Sequence, residues 1–401
     1  MLQGGYIVKR KLIILVIVLL FTSGCWSSRE LNELGIASAV GIDKSDDGYL
    51  VTVQIINPGE IAGASRTTRS PVSSYTTTGK TVFEAIRKLT VKTPRRVYLS
   101  HARIIVFGEE MAQEGIKKAL DFLSRDHELR TDFFIVIAKD EKAVNVLKIF
   151  TPIENIPANK MFSSLEMSEK VWAPTKAVHL DDLVTNITSK GINPVLTGIE
   201  ILGESSEGTD IRNIEKINSP TTLKYVGLGG FKGDKLVGWL NEAESKGYNE
   251  LTDNVNSSVL TVPCEDGKLA IEVVQSKTKL KGKVENGKPK INVEVRVEGN
   301  VGEVMCGIDL TKTENIEKLQ QTTEKEIKDL MEKAIKKAQE DLGSDIFGFG
   351  EVIHRADPKA WKELKKNWDE QFVNLAVDIK ATVEIRRLGT ITESFQKEKE
   401  E

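Results

Sequence analysis

The first 25 residues restrict this chain more than any later feature. A positive cluster, Lys9, Arg10 and Lys11, precedes the uninterrupted apolar run Leu12 to Phe21, and Thr22, Ser23, Gly24 and Cys25 follow. A helix needs about 20 apolar residues to cross a hydrocarbon core of about 30 Å, so this run is too short to span a bilayer. A charged segment, a short apolar segment and small residues, in that order, define an export signal. Ordinary signal cleavage needs no cysteine, so a thiol directly after the small residues points to lipid transfer onto sulfur. Residues 1–24 therefore read as a lipoprotein signal peptide and Cys25 as the lipidated residue, although Thr22 stands where such signals usually carry Leu. Each buried methylene contributes about 0.8 kcal/mol, so two acyl chains are a sufficient anchor without a transmembrane helix. No later stretch of the sequence is long and apolar enough to span.

The roughly 375 residues beyond Cys25 exceed the size at which a single core keeps growing, so two or three domains are expected. Apolar residues make up 40% of the chain and charged residues 29%, a globular balance, and the formal net charge of −3 argues against general nucleic-acid binding. Cys264 and Cys306 are the two remaining thiols, which excludes a disulfide-dense scaffold. They fit either two buried thiols packed as small hydrophobes or one bridge, which the chain-entropy model values at about 4 kcal/mol. We expect the bridge.

After an amphipathic connector, Trp26 to Leu34, the stretch Ala39 to Ile56 reads as a hairpin turning at Asp46-Asp47-Gly48, with Val51, Val53 and Ile55 alternating as in a half-buried strand. The polar stretch Pro58 to Thr78 predicts a loop and a weak strand. Thr81 and Glu84 have capping-box spacing and open a helix from about Lys80 to Lys92, which Pro94 ends. Val97 to Phe107 reads as one buried strand, Met111 to Leu123 as a helix, Phe133 to Ala138 as a strand and Lys142 to Ile149 as a helix. Helical stretches at Ile153 to Glu169 and Lys176 to Thr188 lead to a strand at Val195 to Leu202, an alternation that marks a mixed α/β domain.

Gly203 to Ser219 is polar and aperiodic, and beyond it strands dominate: Lys235 to Leu240, Val259 to Val262, Ala270 to Lys277 and Ile291 to Val297. One long helix follows, its apolar stripe running from Ile316 and Leu319 through Ile327, Leu330 and Ala334 to Leu342. Phe372 to Ile385 closes the region as a strand with one slip in register. The expected class is α+β and multidomain: a mixed α/β domain over 25–202, a linker over 203–219, a strand-rich α+β region over 220–395 with one long helix packed on a sheet, and a disordered tail over 396–401.

No catalytic constellation emerges. His101, His127, His179 and His354 are scattered, without the paired spacing that a zinc site requires. Ser100 and His101, adjacent on an expected strand, point to opposite faces and cannot form a nucleophile and base. Gly227-Leu-Gly229-Gly230 and Gly348-Phe-Gly350 lack the full phosphate-loop fingerprint and read as tight turns. Asp181 and Asp182 fit the first turn of a helix, where the dipole favours acids. No cofactor, no metal and no enzymatic activity are expected.

Several motifs coincide in order. They are Gly24-Cys25-Trp26 with Arg29-Glu30-Leu31, Gly41-Ile-Asp43, Thr93-Pro94-Arg95-Arg96-Val97-Tyr98-Leu99-Ser100-His101, and Arg125-Asp126-His127-Glu128-Leu129-Arg130. Phe231-Lys-Gly-Asp234-Lys235, Asp345-Ile-Phe-Gly348-Phe-Gly350 and Trp361 continue them. Together they resemble the Ger(x)C family of spore germination lipoproteins. The resemblance implies a non-catalytic C subunit of a nutrient germinant receptor. It would be lipid-anchored on the outer face of the spore inner membrane beside an A and a B membrane subunit, with a mixed α/β fold of three domains.

Arg95, Arg96, Arg103, Arg125 and Arg130 concentrate in the first domain. Guanidinium groups suit carboxylates and lipid phosphates, so these residues are candidates for contact with receptor subunits or membrane, and internal ion pairs are the plainer reading. Trp239 and Trp361 read as core residues rather than contact anchors. A rival function is that of a lipid-anchored solute-binding protein serving a transporter. Such a protein should repeat strand–helix units in both halves, whereas here the alternation is confined to the first.

Overall fold

The computed structural model describes residues 33–62, 69–264 and 266–388. The signal segment, Cys25, the connector as far as Asn32 and the tail 396–401 lie outside the described residues.

The first sheet grows from the expected hairpin. β1 (Leu34–Ser45) and β2 (Gly48–Ile56) pair antiparallel with Ser45 opposite Gly48. α1 (Pro58–Ala62) and β3 (Val72–Gly79) follow, β3 pairing antiparallel with β2. α2 (Val82–Lys88) begins under a reciprocal cap: the Glu84 N–H donates to Thr81 Oγ1 at 3.1 Å, and the Lys80 N–H donates to Glu84 Oε2 at 2.8 Å. The chain continues through β4 (Arg96–Tyr98), β5 (Ile104–Gly108), α3 (Glu109–Glu114), α4 (Lys117–Arg125), β6 (Phe134–Ala138), α5 (Ala143–Val146) and α6 (Pro157–Val171). It completes the unit with α7 (Leu180–Thr188), β7 (Val195–Leu202), α8 (Ser205–Gly208), β8 (Thr222–Lys232) and β9 (Lys235–Trp239).

These strands form one nine-stranded sheet in the order β3-β2-β1-β5-β6-β7-β8-β9, with β4 beside the start of β1. Its centre is parallel and its flanks antiparallel. Alternate residues of a strand face opposite sides. Accordingly, Ile105 and Phe107 join a core with Ala85, Leu120 and Leu183, whereas Ile104 and Val106 join another with Val146, Met161 and Leu165. Burial on both faces explains why β5 and β6 are apolar runs without alternation.

The second sheet has the order β10-β11-β12-β13, from β10 (Ser258–Cys264), β11 (Gly267–Glu285), β12 (Lys288–Met305) and β13 (Ala376–Arg387). α9 (Glu242–Leu251) precedes it, and α10 (Thr313–Lys336), α11 (Phe349–Ala356), α12 (Pro358–Leu364) and α13 (Trp368–Val373) lie between β12 and β13. α10 has 24 residues, about 36 Å at 1.5 Å per residue. Its stripe of Leu319, Ile327, Leu330, Met331 and Ala334 shares a core with Val293, Val295, Val297 and Val383 of the sheet. A π-helical turn, Lys337–Leu342, extends it. A disulfide joins Cys264 at the end of β10 to Cys306 just after β12, with Cα atoms 6.2 Å apart.

The α+β class with two sheets is what the sequence indicates, but several elements differ in detail. Val97 to Phe107 is two strands, not one. Both pair with β1, Leu34 opposite Arg96 and Ala39 opposite Ile104, and the intervening residues leave the sheet. There the Ala102 N–H donates to the Leu99 carbonyl at 2.9 Å, so Ser100 and His101 sit in a turn rather than on opposite faces of a strand. The expected helix over Met111 to Leu123 breaks at Gly115, whose φ of +131° suits glycine alone. Asp234 occupies the gap, its carbonyl accepting from the Ile116 N–H at 3.0 Å and its carboxylate from the Lys117 N–H at 3.0 Å. Phe372, expected at the start of a strand, lies in α13, and the strand begins at Ala376, which removes the apparent slip in register.

The Gly227 to Gly230 stretch is not a turn; it lies within β8, and Gly229 pairs with Trp239. The expected linker 203–219 connects β7 to β8, and these strands pair from Leu202 opposite Thr222 to Val195 opposite Gly230. The first sheet therefore continues across it to Trp239.

Candidate functional site

Two of the motifs meet on the first sheet. Arg96, at the start of β4, forms an ion pair with Glu128 from the loop after α4, their side chains 30% and 12% exposed. Ser100 Oγ donates to the Glu128 carbonyl, and the Glu128 N–H donates to Asp126 Oδ1 at 2.8 Å. The turn after β4 and the loop after α4 are thus tied at two points, with Asp126 bracing Glu128 within its own loop, and Arg95, His101 and His127 are exposed around them.

The other arginines are engaged locally. Arg125 pairs with Asp121 at 2.9 Å and Arg130 with Asp132 at 2.9 Å, both at exposed positions. Arg103 lies over the Phe162 ring, 3.8 Å from its centroid. The five residues do not form a bare cationic patch: four are bound to neighbours, and Arg95 is the exposed one of the Arg95-Arg96 pair. Arg95 lines a cleft of about 580 Å³ together with Gly35, Asn57 and Pro94. This cleft lies beside the N-terminal end of β1, where the chain arrives from Cys25.

Two motif aspartates organise backbone. Asp43 on β1 accepts the N–H groups of Ala143 at 2.7 Å and Val144 at 2.9 Å, capping α5 from the neighbouring layer, and burial raises its pKa. Asp345 is fully buried and accepts the N–H groups of Phe347, Gly348, Phe349 and Gly350 at 2.8–3.1 Å and the Trp368 indole N–H at 2.9 Å. Burial pushes its carboxyl up to about 6 against the pull of those donors. The motif Asp345 to Gly350 is therefore the start of α11 wound around one carboxylate. A side chain at Gly350 would lie 2.6 Å from the Gly191 Cα, so the motif also permits close approach of the two units. Trp361 is 4% exposed and meets Trp368 edge to face at 5.1 Å, while Trp239 is half-buried with its indole N–H on Glu109 Oε1 at 2.9 Å.

Among the described residues no group of three or more His, Cys, Asp or Glu side chains is arranged to hold a metal ion, and no helix is long and apolar enough to cross a membrane. Sequence reasoning missed the roles of Glu128 and Asp345, although both stand inside quoted motifs. It also missed a cleft between the two sheets' units, lined by Lys176, Asp182, Tyr248 and Thr278, which come from separated segments.

A nine-stranded mixed sheet, a long hairpin sheet under one helix and motifs that fix loops and helix starts define a multidomain α+β body. The chain belongs to the GerAC-like spore germination family. Residues 27–201 match the family described as spore germination protein N-terminal domain, and residues 226–389 match spore germination B3/GerAC like, C-terminal. It is 33% identical over 393 residues to spore germination protein KC of Bacillus subtilis (strain 168), covering 95% of this chain and 96% of that protein. Spore germination protein B3 of the same strain is 25% identical over 394 residues, covering 95% and 98%. The crystal structure of the GerBC protein shares the fold with a TM-score of 0.53 at 20% identity, covering 86% of this chain and 96% of that one. The boundary between the two family matches falls at the segment expected as a linker, even though the sheet runs through it.

Proposed function

We propose that the protein is a non-catalytic, lipid-anchored subunit of a nutrient germinant receptor, held by Cys25 on the outer face of the spore inner membrane beside A and B membrane subunits. The family match along the whole body carries this reading, since relatives named as spore germination proteins align with 95% of the chain. The export signal ending at Cys25 supplies the location, and the anchor raises the local concentration of the body beside integral-membrane partners. The motifs fit such a role. Asp43, Asp345 and the Arg96–Glu128 pair hold backbone in place, and the exposed rim of Arg95, His101 and His127 is left for contact.

The test is co-purification from spore membranes, with Cys25→Ala as the comparison. The wild-type chain is expected to bring down A and B subunits and the variant to be lost from the membrane fraction. A wild-type chain recovered alone, from membranes in which the other subunits are present, refutes the assembly role.

A further inference from the structure

The cleft between the two units has a volume of about 780 Å³, within the range of about 300–1,000 Å³ of small-molecule sites. One wall is α7, whose residues Asp182, Thr185 and Asn186, with Ser189 capping its end, recur at helical spacing along it. The opposite side is built from the end of α9, from β11 and from the start of α11.

Its lining includes buried hydrogen-bonding groups with capacity still to fill. Lys176 Nζ donates to Tyr248 Oη at 3.0 Å, and Tyr248 is 2% exposed. An ammonium has three protons, so two remain to be placed, and the tyrosine hydroxyl still has its own. Burial works against the lysine charge, but Tyr248, Glu169 and Asp182 together hold its pKa above the ordinary lysine value. Thr278 lines the same cleft at 7% exposure, and its Oγ1 has no hydrogen-bond partner among the described residues. A buried hydroxyl in that condition is destabilising until something pairs with it.

The acidic groups around the cleft are not equivalent. Asp253 accepts the Thr278 N–H at 2.7 Å and pairs with Lys277. Glu351 accepts from Ser189 Oγ, and Glu169, just behind Lys176, accepts from the Ala177 N–H and Asn254. Asp182 accepts no hydrogen bond among the described residues. Leu251, Phe347 and Val352 add an apolar side.

We propose that this cleft binds a small zwitterion with an apolar side chain, its carboxylate received by Lys176, Tyr248 and Thr278 and its ammonium by Asp182. Thr278 Oγ1 then gains the partner it lacks and Lys176 places a further proton, while the apolar lining covers the remainder of the ligand. The inference concerns the body alone and stands whether or not the chain docks to membrane subunits.

Calorimetry of the full-length protein in detergent tests it, with L-leucine as the zwitterion, 4-methylpentanoate as its deaminated form and isoamylamine as its decarboxylated form. Saturable binding of L-leucine is expected, with each half-ligand at least about tenfold weaker. Thr278→Val should weaken L-leucine by about tenfold at a melting temperature no lower than that of the wild type, since it removes an unpartnered buried hydroxyl. Asp182→Asn, at an exposed position, should weaken L-leucine but not 4-methylpentanoate. Absence of saturable L-leucine binding up to concentrations on the order of 10 mM overturns the proposal. So does binding that both variants leave unchanged, or equal affinity for the anion and the zwitterion.

Discussion

Arg96 and Glu128, 32 residues apart in sequence, form one ion pair that binds the turn after β4 to the loop after α4. The carboxylate is 12% exposed, so removing Arg96 takes a charged hydrogen-bond partner from a nearly buried group. With Arg96 itself 30% exposed, solvent screens part of the interaction. Arg96→Ala is expected to lower unfolding stability by about 2 kcal/mol. Glu128→Gln should cost less, because its amide still fills the site. A urea-unfolding double-mutant cycle returning no coupling between the two positions would show the pair to be incidental.

Arg95 behaves differently although it is the neighbouring residue. It is exposed, so Arg95→Glu should shift stability by no more than about 0.5 kcal/mol. If the rim around it docks to a receptor subunit, the same substitution reduces co-purified subunit and slows the nutrient response of spores. Unchanged assembly and response with Arg95→Glu would move the docking surface elsewhere. The contrast matters for design: charge reversal at Arg96 confounds folding with docking, and Arg95 does not.

The carboxylate of Asp345 receives four backbone N–H groups and the Trp368 indole. Asp345→Asn turns one acceptor oxygen into a donor. Whichever way the amide lies, an NH₂ then faces N–H groups: Gly350 and Trp368 on the Oδ2 side, or Phe347, Gly348 and Phe349 on the Oδ1 side. The expected loss is about 3 kcal/mol, from buried donors left unpaired. A changed tryptophan emission should accompany it, since Trp368 is 3% exposed in the native state and loses its partner. Wild-type stability in Asp345→Asn would rule out the carboxylate as the organiser of α11.

Much of this architecture is legible in the sequence because local pattern and tertiary demand agree. Val51, Val53 and Ile55 alternate because they share one core, although the strand expected to be half-buried is covered on both faces: Thr52 and Gln54 between them are buried as well, bonded to Thr76, Ser38 and the Leu147 carbonyl. Asp46-Asp47-Gly48 turns the chain where a hairpin must turn. The α10 stripe announces the helix because one side of it is buried, against the sheet and against α9, where Gly247 closes on the Leu330 carbonyl. Pattern fails where neighbours decide. Leu99 and Ala102 are as buried as strand residues, so the polar pair Ser100-His101 between them reads as part of one strand although the chain leaves the sheet there. Gly115 breaks a helix because Asp234, more than a hundred residues on, fills the gap. Phe372 belongs to a helix whose apolar spacing mimics the strand that follows. Lys176, Tyr248 and Thr278 come from a loop, a helix and a strand, and no local signal joins them.

The Cys264–Cys306 bridge closes a loop with a sequence separation of 42, which the chain-entropy model values at about 4 kcal/mol. It pins the open end of the β11–β12 hairpin, since Cys264 pairs with Gly267 and Cys306 directly follows β12. Replacing both cysteines by serine should lower stability by as much as about 4 kcal/mol, with the loss concentrated in amide-exchange protection of β10 and the adjoining ends of β11 and β12. Two thiols alkylated without reductant in the native protein would contradict the bridge.

Glu250 supplies the pH dependence. It is 3% exposed at the end of α9, and its Oε2 accepts the Ser276 hydroxyl proton at 2.8 Å. Burial, aided by the nearby charge of Asp253, pushes its carboxyl from 4.5 up to about 7, while the Ser276 bond pulls the other way. Between those two values the unfolded chain has lost the proton and the folded chain has kept it. The folded state then binds more protons, so stability falls as pH rises through this window and the cost is complete above about pH 7. The shift corresponds to about 3 kcal/mol. Glu250→Gln cannot ionise and retains a carbonyl oxygen for Ser276. It should match the wild type near pH 4, gain on it steadily as pH rises, and exceed it by as much as about 3 kcal/mol near pH 8. Urea midpoints of the two proteins across this range measure the difference directly. Curves that run parallel from pH 4 to pH 8 would mean that Glu250 ionises no differently in the fold than in the open chain.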